Sequence, residues 1–406
     1  MVNTINDNML AAEAICDPYT YFGDLRERDP IYWNELFQQW VVTGYHDVVW
    51  ALRHHERFSS QITQRDTRVP YTPIPEEDLD LHKFTRAFGA DMLIQQDRPD
   101  HLAMRTVFQS SFSPASIEAW RFQARSIIND LLDDIAKKEE IDIMHDLATP
   151  LPLMLITQIV GVPIEDRFHI EDLTKQYLGG GRPGQDRMKI NAQGAQGLID
   201  YLTPIVTEKM SNPKDDLLST LCAGEKSGML TRGNVLSNAA LLLVAGHETS
   251  INLICNGTLC FIQHPSQWAL FKEDPEGKAV LAAEECLRFE PPSKTNQRIA
   301  AENIEIRGKT IQKGDAIRWV IASANRDPAV FAEPDEFDIQ RSPNPHIGFG
   351  SGIHHCLGSA LARIEGQETF KALAQRFDKL ELQTDQLEWV PTLGFRSLVS
   401  LPVSCS

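Results

Sequence analysis

Phe349-Gly350-Ser351-Gly352-Ile353-His354-His355-Cys356-Leu357-Gly358 is the stretch whose reading decides the fold of this 406-residue chain. Its three glycines describe a backbone that turns sharply and lies close to something flat. Beyond it, apolar Leu357, Leu361, Ile364, Phe370, Leu373 and Phe377 recur among polar residues and predict a helix. That pattern puts Cys356 at a helix N-terminus, where unpaired N–H groups and the positive end of the dipole favour a thiolate. Such a thiolate is a nucleophile or a metal ligand. The plainer reading is a small buried hydrophobe. His354-His355-Cys356 hints at zinc, but adjacent residues do not easily face one ion, and no second Cys or His pair follows at finger spacing. A nucleophile needs a base and an orienting group, which the stretch alone does not supply.

Three other segments carry chemistry-bearing residues. Asp97-Arg98-Pro99-Asp100-His101-Leu102-Ala103-Met104-Arg105 opens a helix after a proline-bounded turn. His101 and Arg105 share a helical face there, which by itself reads as a solvated basic pair. The apolar run from Asn234 to Gln263 resembles a membrane span until Asn238, His247, Glu248, Asn252 and Asn256 are counted. It predicts a buried helix. Its polar centre, Ala245-Gly246-His247-Glu248-Thr249-Ser250, implies a widening that faces a polar guest, or a kink from Thr back-bonding. Glu285 and Arg288, three apart, would be worth little as a surface ion pair.

Taken together and in this order, the segments resemble the cytochrome P-450 family. The loop F-G-x-G-x-H-x-C-x-G resembles that family's haem-binding loop, with Cys356 as the axial iron ligand. The resemblance implies haem b as cofactor, contacted by Ala245, Phe349, Gly350, Cys356 and Gly358, with His101, Arg105, Arg298 and His354 holding its propionates. A-G-x-[DE]-T implies a distal oxygen-binding groove in which Glu248 and Thr249 deliver protons. E-x-x-R implies that Glu285 and Arg288 are buried and locked to a third arginine, for which Arg341 is offered, bracing the cysteine loop. The resemblance spans nearly the whole chain. It implies a mainly α fold with a smaller β-rich region, a triangular helical prism around buried haem, as one domain over residues 1–406. The β-rich parts are expected near 30–60, 300–325 and 380–403.

Bulk properties narrow the setting. Length alone would suggest two or three domains. A formal net charge of −17 argues against nucleic acid or an anionic membrane as partner. Seven cysteines without framework spacing fit a reducing cytoplasm. The N-terminus shows no basic region followed by an apolar run, which predicts a soluble protein; within the family it resembles, solubility at this length implies the bacterial type. Helices are expected near Tyr19–Arg28, over Ile117–Ile135 and over Leu151–Val160, and at Asp215–Ser219; strands are expected at Ile31–Trp33, Trp40–Thr43, Ile304–Ile306 and Ala316–Ile321. Residues 60–96 read as a long loop that by resemblance roofs the substrate pocket. Leu178–Gly184 reads by composition as a flexible glycine-rich stretch and by resemblance matches the family's lid.

The activity implied by the resemblance is oxygen insertion into a C–H bond, as hydroxylation or oxidative dealkylation, with the other atom of O2 leaving as water. Electrons would come from a ferredoxin or flavodoxin-type carrier with its NAD(P)H reductase. Arg363, near the thiolate side, is a candidate docking charge. A hydrogen-peroxide-driven peroxygenase would be expected to replace the Glu248–Thr249 pair, and a non-catalytic haem-thiolate sensor would not need it. By resemblance, Ile94, Leu241, Val244, Ala245, Lys294, Thr295, Asn296 and Phe395 line the substrate pocket. They leave terpenoid, steroid, aromatic acid and macrolide substrates open. Lys294 stands out, because a buried unpaired ammonium costs several kcal/mol, roughly, or else loses its proton. It either snorkels outward or meets an acidic side chain such as Glu290, or it pairs with a substrate oxygen.

Overall fold

Arg232–Gln263 form one unbroken helix of 32 residues. The run is apolar nearly all round, so burial on every side is its stable state; Val235, Ala239, Leu243, Leu253, Ile254 and Cys260 are all closed off from solvent. The computed structural model describes residues 6–63, 76–178 and 186–405. Among the described residues no helix is long and apolar enough to cross a membrane. The chain is mainly helical with small sheets. It divides into two compact units, residues 1–58, 119–152 and 249–406, and residues 59–118 and 153–248.

The first unit holds the strands. Its main sheet runs in the order Ile31–Asn34, Gln39–Val42, Ala316–Val320, Thr295–Ala300 and the short edge strand beginning at Phe58. Ile31 lies opposite Val42 in an antiparallel pair, and Gln39–Val42 runs parallel to Ala316–Val320. β-Formers concentrate here because a pleated, half-buried surface suits them. Ile31, Val42, Ile317 and Trp319 form one core cluster, with Phe58 edge-on to Trp319 at 5.0 Å between ring centroids. A second sheet joins Ile141–Asp142, Pro402–Cys405 and Leu380–Leu382, and Ile304–Ile306 pairs with Lys309–Ile311. The helix Pro18–Arg28 opens on an Asp17 cap, whose carboxylate accepts from the Thr20 N–H.

The second unit is built from Leu79–Ala90, Asp100–Gln109, Arg167–Tyr177, Arg187–Ser211, Leu217–Lys226 and most of Pro150–Val160. Leu217–Lys226 is capped by Asp216, which accepts from the Ser219 N–H at 2.8 Å. Leu79–Ala90 corrects the reading of 60–96 as loop throughout. Leu81, Phe84 and Phe88 recur there at helical spacing, and Phe88 packs edge-on to Tyr177. The remainder of that supposed loop from 64 to 75 lies outside the described residues, as does the glycine-rich lid from 179 to 184.

Within the first unit, the segment that leads to the cysteine loop is organised by one buried cluster. Glu285 and Arg288, on the helix Pro275–Phe289, are both fully buried and paired at 2.8 Å. Arg341 joins them at 3.2 Å from Glu285. Arg288 also donates to the carbonyls of Asn325, Pro334 and Glu336, at 3.1, 2.7 and 2.9 Å. Glu285 accepts from the Asp338 N–H and the Asn344 side chain as well. Removing one partner of such a cluster leaves an uncompensated buried charge. Glu285→Ala is therefore expected to lower unfolding stability by about 3 kcal/mol or more, read as the denaturant midpoint of the purified protein. An unchanged midpoint would remove this cluster as the organiser of the segment.

Candidate functional site

The cysteine loop belongs to the first unit and is closed by its own backbone. Gly350 N–H donates to Ile347 O at 2.8 Å, His355 N–H to Gly352 O at 3.2 Å, and Cys356 N–H to Phe349 O at 2.9 Å. Gly350 and Gly352 sit at φ +72° and +75°, which L side chains rarely adopt. At Gly352 a Cβ would also stand 2.3 Å from the carbonyl oxygen of Leu52, so only glycine lets the loop lie this close to that turn. His354 ends a short 3-10 turn, Gly352–His354. The helix that follows runs Ser359–Arg376, with Gly358 as its cap residue. Cys356 thus stands three residues before the helix rather than on its first turn. The turn at Leu357-Gly358 intervenes, so the loop's own N–H bonding, more than the helix dipole, fixes where the sulfur sits.

Burial sorts the cysteines. Cys222, Cys255, Cys260 and Cys286 are buried, and burial pushes the last three thiols well up. Cys405 is half-buried and pushed up to about 11. Cys16 and Cys356 are exposed. Among the described residues no three His, Cys, Asp or Glu side chains converge as a metal site. A metal at Cys356 would therefore need most of its ligands from a prosthetic group.

Around the loop, Phe349 lies under the Arg363 guanidinium at 4.5 Å. Arg363 in turn is bound by both oxygens of Glu284, at 2.6 and 3.0 Å, and His346 reaches the same carboxylate at 3.0 Å. Burial of Glu284 works against its charge, but the hydrogen bonds from His346 and Arg363 prevail and hold its carboxyl at about 2. Arg363 is thus paired with Glu284 while its side chain stays about a third exposed. Arg298 lies on the strand Thr295–Ala300, donating to Asn296 Oδ1 at 2.9 Å and Gln297 O at 2.7 Å.

Of the residues expected to line a pocket, Lys294, Thr295, Asn296 and Phe395 fall in this unit, and the structure brings their segments together. Ser293 bridges Phe395, Lys294 N–H donates to Gly394 O at 2.8 Å, and the Thr295 hydroxyl to Leu393 O at 2.9 Å. Asn296 is exposed; Lys294 and Thr295 are buried.

In the second unit, His101 and Arg105 lie on Asp100–Gln109, His101 buried and Arg105 half-buried. Leu241 and Val244 are buried on the central helix, Ala245 is exposed and Glu248 half-buried. Ile94, on the turn Leu93–Gln95, is exposed; that turn is tied to the central helix by Asn238, whose Oδ1 accepts from the Leu93 N–H at 2.7 Å. Gly246 permits the helix Pro150–Val160 to close in, since a Cβ there would meet Ile156 at 2.5 Å. His247 is buried; its Nδ1–H donates to Leu243 O, since a carbonyl can only accept. Burial lowers the pKa of His247, with the neighbouring Glu248 charge opposing.

Thr249 opens the half of the helix that belongs to the first unit. The next residue, Ser250, donates its hydroxyl to Glu365 of the helix Ser359–Arg376. Sequence reasoning missed this pair. Ser250 was in view, but Glu365 is a charged residue at a core position, which only a polar residue among Leu361, Ile364 and Phe370 could have signalled. Glu365 is buried, and burial, only partly offset by Ser250, pushes its carboxyl up to about 8. Its Oε1 has no hydrogen-bond partner among the described residues. At neutral pH it is held as the neutral acid.

Comparison with known proteins points one way. The cytochrome P450 family model matches residues 280–402. The biotin-biosynthesis cytochrome P450 of Bacillus subtilis is 35% identical over 99% of both chains. The P450 BioI, solved in complex with an acyl carrier protein ligated to hexadec-9Z-enoic acid, superposes with a TM-score of 0.88 at 34% identity, over 97% of this chain and 100% of that one. A myxobacterial cytochrome P450 solved with myristic acid gives 0.87 at 30% identity, over 97% and 98%.

The Glu365 geometry has a consequence for stability. The folded chain keeps a proton that the unfolded chain releases near its ordinary value of 4.5, so raising the pH from there to about 8 draws stability away from the native state. Glu365→Gln, which cannot ionise, is expected to match wild type near the acid end and to exceed it by a few kcal/mol, roughly, above the upper value. Denaturant unfolding of both proteins across that interval checks it; parallel curves would mean that Glu365 is ionised in the folded state.

Proposed function

This chain belongs to the cytochrome P450 family and is a haem-dependent monooxygenase, and we propose that it hydroxylates or oxidatively dealkylates a small, mostly apolar organic molecule with electrons from a ferredoxin or flavodoxin-type carrier and its NAD(P)H reductase. The observation that carries this reading is the thiol of Cys356, exposed on a loop whose backbone closes on itself and whose Gly352 leaves no room for a side chain. A soft sulfur donor with cationic side chains is a donor set that fits an iron macrocycle bearing carboxylates.

When bound, the haem supplies activation of O2 and transfer of one oxygen atom. In our reading Cys356 would hold its iron through the sulfur. His101, Arg105, Arg298 and His354 would neutralise its propionates, and Ala245, Phe349, Gly350 and Gly358 would help to hold it. The Glu285–Arg288–Arg341 cluster braces the loop from behind. Glu248 exchanges protons with solvent, and the Thr249 hydroxyl passes them toward the oxygen-binding position and orders water there. Ile94, Leu241, Val244, Ala245, Lys294, Thr295, Asn296 and Phe395 shape the substrate pocket. The fatty acyl ligands named for two relatives are long apolar chains, in keeping with a mostly apolar substrate.

Two experiments test the assignment. Reduced protein exposed to carbon monoxide is expected to show the red-shifted Soret band of thiolate ligation, and Cys356→His to lose it. A variant that keeps the band would mean another cysteine holds the iron. Thr249→Ala is expected to retain haem while diverting electrons to hydrogen peroxide, with product formed per NAD(P)H falling at least severalfold. Unchanged coupling would move the proton-handling role to another group.

A further inference from the structure

Phe349, whose carbonyl accepts the Cys356 N–H at 2.9 Å, has three polar side chains around its ring. Arg363, on the helix Ser359–Arg376, lays its guanidinium 4.5 Å over the ring. The His346 and His355 rings stand 6.1 and 6.3 Å from it, tilted at 49° and 52°. Glu284, on the helix Pro275–Phe289, holds two of the three at once. It accepts from Arg363 Nε at 2.6 Å and Nη2 at 3.0 Å, and from His346 Nε2 at 3.0 Å. The backbone fixes the imidazole tautomer: Gly348 N–H donates to His346 Nδ1 at 3.1 Å, so the ring proton lies on Nε2.

Each contact suits the residue found. A planar fork of N–H groups meets both oxygens of one carboxylate, and a flat cation lies well against an aromatic face; an ammonium offers neither plane nor fork. Glu284 is ionised, since the hydrogen bonds from His346 and Arg363 prevail over its burial. Among the described residues it is the one carboxylate paired with Arg363. The contacts run from Glu284 to Arg363, from Arg363 to Phe349 and from Phe349 to Cys356. The cation therefore touches the cysteine loop directly, and the carboxylate reaches it through Arg363 and His346. A half-exposed ion pair contributes little to stability by itself. Here its cation is fixed against the very residue that bonds the cysteine.

We propose that Arg363 is a positioning residue for the Cys356 thiolate: acting through Phe349, it holds the loop and sets beside it a positive charge that favours entry of the first electron into the bound haem. The inference rests on the reading in which Cys356 holds the iron. In that step the carrier gives up one electron and ferric iron becomes ferrous, so the site gains one unit of negative charge and no bond is made or broken. A fixed cation favours that change and a fixed anion opposes it; distance sets only the size of each effect. Arg363 and Glu284 therefore bias the reduction equilibrium in opposite directions. A clamp that served packing alone would respond alike to the loss of either.

The test measures the reduction potential of haem-loaded wild type, Arg363→Gln, Arg363→Lys and Glu284→Gln by dithionite titration with redox mediators. Arg363→Gln is expected to shift the equilibrium about twofold or more toward the ferric form. Glu284→Gln is expected to shift it about twofold or more toward the ferrous form, on a scale of about 59 mV per tenfold for one electron. Arg363→Lys keeps the charge without the flat contact and is expected to lie closer to wild type than to Arg363→Gln. The proposal is overturned if the two Gln variants move the potential in the same direction, or if either stays inside that twofold margin. It is also overturned if Arg363→Lys lies no closer to wild type than Arg363→Gln does. Should neither Arg363 variant hold haem, Glu284→Gln decides alone, and a level or lowered potential there overturns it. The carbon monoxide band of wild type reports separately on Cys356: its absence sinks the haem-thiolate reading, whereas a normal band with unshifted variant potentials sinks only the role given to Arg363.

Discussion

Glu285 is a carboxylate with no solvent contact, and the presentation of the cysteine loop depends on how its charge is met. An ion in the interior is tolerable only when its oxygens are saturated with donors. The donors here are Arg288, Arg341, Asn344 and the Asp338 N–H. Their side chains and carbonyls tie down the chain from Asn325 to Asn344. Asn325 carries the order forward, since its Oδ1 accepts from the Ile347 N–H at 2.8 Å, and Ile347 O then receives the Gly350 N–H that starts the loop. A thiol is thus placed by a chain of bonded neighbours that begins at a buried charge. Such support is the kind of outer-shell arrangement a metal ligand requires, because a ligand free to wander cannot hold a geometry.

That dependence explains which features were legible in the sequence. The long helix Arg232–Gln263, the strands Ile31–Asn34 and Ala316–Val320 and the tight loop of Phe349–Gly358 announce themselves through periodicity and glycine placement, which are local signals. The E-x-x-R pair is likewise local, but its burial is not; only the family resemblance distinguished it from an ordinary surface pair. Where the reading fell short, the deciding partner was remote. Leu79–Ala90 is the exception, since its stripe of Leu81, Phe84 and Phe88 is local and the prolines just before it drew the reading toward a loop. Arg363 looked available until Glu284, 79 positions away, was found beside it. Ser250 and Glu365 are 115 positions apart.

Glu365 and Lys294 present the same problem with opposite sign, and the fold treats them differently. Glu365 escapes the cost of burial by keeping its proton, and the Ser250 hydroxyl leaves one oxygen hydrogen-bonded. The neutral acid is a settled resident: nothing has to arrive for it to be stable. Lys294 takes the mirror-image route, since burial and Arg396 lower it to about 7 and favour the neutral amine. It is buried beside another cation, while the one carboxylate nearby is committed to Arg396 and Tyr19. Mutual exclusion of this kind is informative, because an isolated buried lysine that served only packing would be better served by methionine, which fills the same volume without a charge to desolvate. An amine kept near its neutral point inside the protein gains most from a partner that brings a negative charge with it. The shortage of a counter-ion at Lys294, set against the two arginines that meet Glu285, shows two ways in which one fold handles buried charge.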